Sequence, residues 1–194
     1  MKFRIICLVL IGAWAGTLGG AEPINVLFFT KAAGYEHQVI KRGAAGEPSH
    51  AEKVLFRLGA SEQIEMSFSK DGSLFSKAYL QQFDVVFFYT SGNLLAVGKD
   101  GNPPMSGEGK QALLEWVAAG GGFMAAHAGS GAFHSDEITG GNPPQSERGN
   151  RYRLNGEASD PYIKRLGGEL INHGRAAGAR RRRRWSARFR ASKV

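Results

Sequence analysis

Gly120-Gly121-Gly122-Phe123-Met124-Ala125-Ala126-His127 reads as a helix end, a short buried strand and a histidine at the strand tip. Consecutive glycines stop a helix because glycine accepts the left-handed backbone that closes a last turn. The apolar residues from Phe123 to Ala126 suit a strand buried on both faces, as in a parallel sheet. The histidine then falls where an open α/β sheet binds its ligands, outside the carboxyl ends of the strands.

Outward from this stretch the same pattern repeats. Residues 24–30 (Ile-Asn-Val-Leu-Phe-Phe-Thr) and 83–90 (Phe-Asp-Val-Val-Phe-Phe-Tyr-Thr) are near-continuous apolar runs, and residues 64–68 alternate. Helical spacing separates them. Val54, Leu55 and Leu58 form the core face of a helix over 49–58, and Phe75, Tyr79 and Leu80 line a short one over 76–83. Ser106 opens a helix whose core face is Leu113, Leu114 and Val117. Asp160-Pro161 starts a last helix, cap then proline, and Gly167-Gly168 stops it. Strands alternating with helices predict an α/β three-layer sandwich with a mostly parallel sheet. The loops over 31–37, 91–105 and 129–155 then gather His37, Ser91-Gly92-Asn93 and His127 at one end.

Four ordered segments resemble one family. They are Phe29-Thr30-Lys31-Ala32-Ala33-Gly34-Tyr35-Glu36-His37, then Tyr89-Thr90-Ser91-Gly92-Asn93-Leu94, then residues 120–127, then Tyr162 with Leu166-Gly167-Gly168-Glu169 and His173. Together they resemble the ThuA-like, or trehalose-utilisation, family over residues 24–174. The resemblance implies a flavodoxin-like fold related to class I glutamine amidotransferases, and a role in sugar metabolism. Those relatives carry a cysteine at the strand-to-helix elbow. Here His127 stands there, so glutaminase chemistry is not carried over. The family domain also continues past the Gly-Gly-Glu segment, whereas this pattern stops near Gly174, so the last strands of the sheet are expected to be missing.

On the fold argument and the resemblance together, His127, His37 and His173 are the expected acid/base residues, since neutral imidazole accepts protons near neutral pH. Tyr35, Asn93 and Glu169 are the expected sugar contacts. No cofactor is identified. The three histidines match no local metal motif, and a shared divalent metal on His37, His127 and His173 stays open. No Gly-x-Gly-x-x-Gly follows the first strand, which argues against a dinucleotide site.

Two other function classes compete. One is a non-catalytic sugar-binding or interaction module. The other is a serine hydrolase. Ala128-Gly129-Ser130-Gly131-Ala132 loosely resembles a nucleophile elbow, with Asp160 and His173 following in hydrolase order.

The two ends of the chain differ from its middle. Residues 1–21 read as a secretory signal: Lys2 and Arg4, an apolar run from Ile5 to Trp14, then Gly19-Gly20-Ala21. The expected location is periplasmic or extracellular, with no membrane span after cleavage. The single cysteine, Cys7, lies in that segment, which leaves residues 22–174 without a thiol or a disulfide. Residues 175–194 hold nine of the 25 basic residues and no acid. Without them 16 basic residues face 17 acidic ones, so the formal charge of +8 belongs to the tail. Arginine blocks bind phosphate, but an exported carbohydrate domain implies no nucleic-acid partner. The tail reads either as a disordered segment or as an out-of-frame one, because a GC-rich gene read out of frame yields Arg, Ala and Gly. The expected partner is a small-molecule carbohydrate, and the oligomeric state is left open.

Overall fold

The computed structural model describes residues 22–98, 100–133 and 159–168. The expected signal, the arginine tail, Glu169 and His173 lie outside the described residues. Among the described residues four strands, β1 (Ile24–Phe29), β2 (Ile64–Ser69), β3 (Val85–Tyr89) and β4 (Gly122–Ala126), pair in the order β2-β1-β3-β4. Every pairing is parallel. The α-helices among the described residues are α1 (His50–Ser61), α2 (Lys77–Leu80), α3 (Gly107–Ala118) and α4 (Pro161–Leu166). The chain is therefore an α/β protein with a flavodoxin-like parallel sheet, as the pattern of runs and helices predicts.

Register sorts the apolar runs onto two faces, because successive strand residues point to opposite sides. Leu27 lies beside Val86 and Val86 beside Phe123, and the next row on the same face is Phe29, Phe88 and Ala125. This face carries the main core, with Phe75, Leu80, Leu113, Leu114, Phe133, Tyr162 and Ile163 packed over it. Phe88 sits at its centre, its ring 5.2 Å from Phe29, 6.0 Å from Phe75 and 5.0 Å from Phe123. The opposite face carries the row Phe68, Phe28, Phe87 and Met124.

α1 packs on that second face, close enough that a Cβ at Gly59 would lie 2.9 Å from the Met66 side chain. Its start is a complete capping box. The Ser49 hydroxyl accepts from the Glu52 amide, and the Glu52 carboxylate accepts from the Ser49 amide. Glu52 is buried and also meets Arg42 at 2.6 Å. Burial pushes its carboxyl up, but Arg42 and the Ser49 amide more than offset this and hold it below its ordinary value.

Three expectations are corrected. Leu58 does not face the core but is 56% exposed, because Gly59 rather than Leu58 makes the close approach to β2. The helix expected over 76–83 is only Lys77–Leu80, since the chain must straighten into β3 at Val85. The loop expected over 129–155 opens inside a 3₁₀ turn, His127–Gly131, and its residues 134–155 lie outside the described residues.

Candidate functional site

Two loops at the carboxyl end of the sheet are sutured together. Ala32 bridges to Ser91, and the Ala33 and Gly34 amides both donate to the Ser91 carbonyl at 2.8 and 2.9 Å. The Ser91 hydroxyl donates to the Tyr35 carbonyl at 2.6 Å. Gly92, at φ 72°, lies so close that a Cβ there would be 2.5 Å from the Gly34 amide nitrogen. Only glycine combines that backbone with that approach.

This suture sets His37 among other rings. Its centroid lies 4.8 Å from Tyr35, 4.2 Å from His127 and 6.2 Å from Tyr89. Tyr89 in turn stacks on His127 at 5.3 Å and 22°. The structure thus brings together Tyr35, His37 and His127 of the expected set. Tyr35 is 70% exposed, His127 is exposed and His37 half-buried, so the cluster opens to solvent.

His127 is one of two non-glycine residues with positive φ among the described residues, at 56°. In strand alternation it would follow Phe123 and Ala125 toward the main core. The left-handed backbone turns the chain sharply from β4 into the 3₁₀ turn and carries the imidazole to Tyr89 and His37. Its second neighbours on either side are Ala125 and Gly129, and a Cβ on Gly129 would sit 3.1 Å from that of Ala125. A strained residue between small ones is the elbow geometry that presents a side chain at the top of a sheet. Here the elbow belongs to His127. Ser130 lies inside the 3₁₀ turn. Asp160 caps α4 by accepting from the Tyr162 amide at 2.9 Å and pairs with Lys110.

The remaining expected residues divide. Asn93 uses its Oδ1 to accept from the Leu95 amide at 3.1 Å, closing a local turn. Among the described residues there is no group of three or more His, Cys, Asp and Glu side chains that would hold a metal.

Sequence reasoning missed three contributors. Tyr89 follows Phe88 by one residue and so lies on the other face, the face of the site; its alternation was the available signal. Buried Lys70 and half-buried Glu36 form a pair at 2.7 Å across 34 residues, which no local pattern announces. Lys31, fully buried beside them, donates to the Asn102 carbonyl at 2.6 Å and lies 3.9 Å from Asp100. Burial lowers its ammonium's pKa, and Asp100 partly restores it.

Among the described residues, a parallel α/β sheet with a histidine elbow at its carboxyl end defines a flavodoxin-like fold. The family model for trehalose utilisation, ThuA, matches residues 25–173. The chain belongs to that family, which ties it to trehalose utilisation. No curated protein and no solved structure matches it.

Proposed function

We propose that the chain is an exported protein whose carboxyl-end cleft takes a carbohydrate of the trehalose class and acts on it by histidine acid/base chemistry. His127 is the principal proton-transfer group and His37 its partner. One observation carries this reading: a strained backbone holds His127 at the strand tip, 4.2 Å from the His37 ring. Strain of this kind persists only where surrounding structure enforces it, and it clusters at working sites. Two adjacent imidazoles allow one to accept a proton while the other donates one. Tyr35 and Tyr89 supply apolar ring faces with polar tips, which suit the mixed surface of a sugar.

The test is turnover and calorimetric binding of trehalose and its oxidised or phosphorylated derivatives. His127→Ala abolishes turnover and retains most of the binding, while Ser130→Ala keeps both. A dead Ser130→Ala beside an active His127→Ala would overturn the reading in favour of the hydrolase. The exposure of Tyr35 favours one alternative, a sugar-binding module, which predicts binding without turnover in the wild type.

A further inference from the structure

The loop that carries Tyr35 and His37 is tied at its start by the Ala32 amide, which donates to Asp100 at 2.7 Å, and is held further along from two sides. On the β3 side Ser91 takes both loop amides and donates to the Tyr35 carbonyl. On the β2 side the contact is the carboxylate that stands between the two rings in sequence. Glu36 Oε1 accepts from Lys70 Nζ at 2.7 Å. Lys70 is the residue after β2, and the Thr30 amide donates to Ser69 at 3.0 Å, so the ladder continues to that point. The Lys70 ammonium also lies 3.4 Å from the Thr30 carbonyl. Its side chain is 6% exposed and that of Glu36 is 21% exposed.

A long cationic chain buried to this degree needs its partner, because an ammonium out of water without one is strongly disfavoured. Among the described residues Glu36 is the carboxylate that meets Lys70, beside the Thr30 carbonyl. Glu36 meets it with the segment from Tyr35 to His37 on its present course. Tyr35 and His37 then meet each other at 4.8 Å, and His37 meets His127 at 4.2 Å. The other ion pairs among the described residues do not join the ring-bearing segment. Arg42 with Glu52 braces α1, Lys110 with Asp160 braces α4, and Lys31 faces the loop at Asp100 and Asn102.

We propose that Lys70 is a positioning residue for the histidine cleft, acting through Glu36 to hold His37 against His127. The role of the cleft rests on the function proposed above; the clamp itself is a statement about geometry and is tested apart from activity. The measurement is NMR of the histidine ring protons in the full chain. In the wild type, His37 lines carry ring-current shifts from Tyr35 and Tyr89, and a ring-to-ring Overhauser contact joins His37 to His127. Lys70→Met and Glu36→Leu each abolish that contact and move the His37 lines toward those of a loop histidine, while His50 at the start of α1 stays in place. The charge exchange Glu36→Lys with Lys70→Glu restores both signals. Ser49→Ala, which removes the α1 cap, lowers the melting temperature and leaves the His37 lines where they are; this separates positioning from general loosening.

Unchanged His37 lines and an intact contact in Glu36→Leu would overturn the clamp. That variant decides the matter if Lys70→Met does not fold, since it changes a side chain already near solvent. With trehalose as the probe, an active wild type loses on the order of tenfold in kcat in Glu36→Leu, because small misplacements of a reacting group are costly. A wild type inert on trehalose sinks the catalytic reading alone, and the ring contact still decides the clamp.

Discussion

The two faces of the sheet are built from the same strands, yet they serve different ends. One face is a closed apolar core in which Leu27, Phe29, Val86 and Phe88 are each wholly buried. The other is thinner. Phe28 is buried there, but Phe87 is only half-buried and Met124 is 50% exposed among the described residues. The rings of the candidate site stand at the top of this thinner face, where Tyr89 continues the side of Phe87. Dense packing confers rigidity and leaves no room for a ligand. A face covered over only part of its width can carry exposed polar side chains at one end while the other face supplies the stiffness.

The comparison breaks most sharply at its centre. Phe88→Ala empties the core face and is expected to cost about 3–5 kcal/mol, whereas Phe87→Ala on the thin face costs roughly 1–2 kcal/mol. Urea denaturation of both variants checks this, and equal losses would mean that the two faces are equally packed. Next in size is Gly92→Ala, which pushes a Cβ to within 2.5 Å of the Gly34 amide at a left-handed φ. It should destabilise by about 2–3 kcal/mol and part the two loops of the site. Loss of the His37–His127 ring contact by NMR is the readout.

Tyr162→Phe sharpens the account of the core face. The buried phenol donates to the Gly129 carbonyl at 2.7 Å, directly behind the elbow. Losing that bond costs about 1–3 kcal/mol at neutral pH. Burial, and then the Asp160 carboxylate, push the phenol far above its ordinary pKa. An unfolded tyrosine ionises near pH 10, at about its model value, while the folded one keeps its proton. The folded state thus holds more protons above that pH, so this group's contribution to stability falls as pH rises further. The wild type's advantage over Tyr162→Phe is expected to shrink above about pH 10, followed by thermal unfolding at each pH. The smallest effect belongs to the elbow. His127→Gly should be more stable than His127→Ala by roughly 1 kcal/mol, because glycine relieves the positive φ and alanine does not. Both variants lack the imidazole, so stability and activity separate at one residue.

Much of the fold was legible in the chain. Continuous apolar runs announce parallel strands because such strands are covered on both faces, and Ser49, Ser106 and Asp160 announce helix starts because each side chain caps its helix. Leu58 misled because helical spacing identifies a face without saying how close the partner comes. The site was legible in part. His37 and His127 were readable as strand-end residues, and Tyr89 was readable by alternation but not singled out.

By itself, the sequence determined the class of sheet, the order of its elements and the end at which the histidines gather, because these follow from local periodicity and from the handedness of strand–helix–strand connections. Only the tertiary structure decided which rings touch, that the strained elbow falls on His127 rather than Ser130, and that Lys70 meets Glu36. Those depend on register between strands and on backbone angles at single residues. Such features arise from packing across tens of residues, and no short window of sequence contains them.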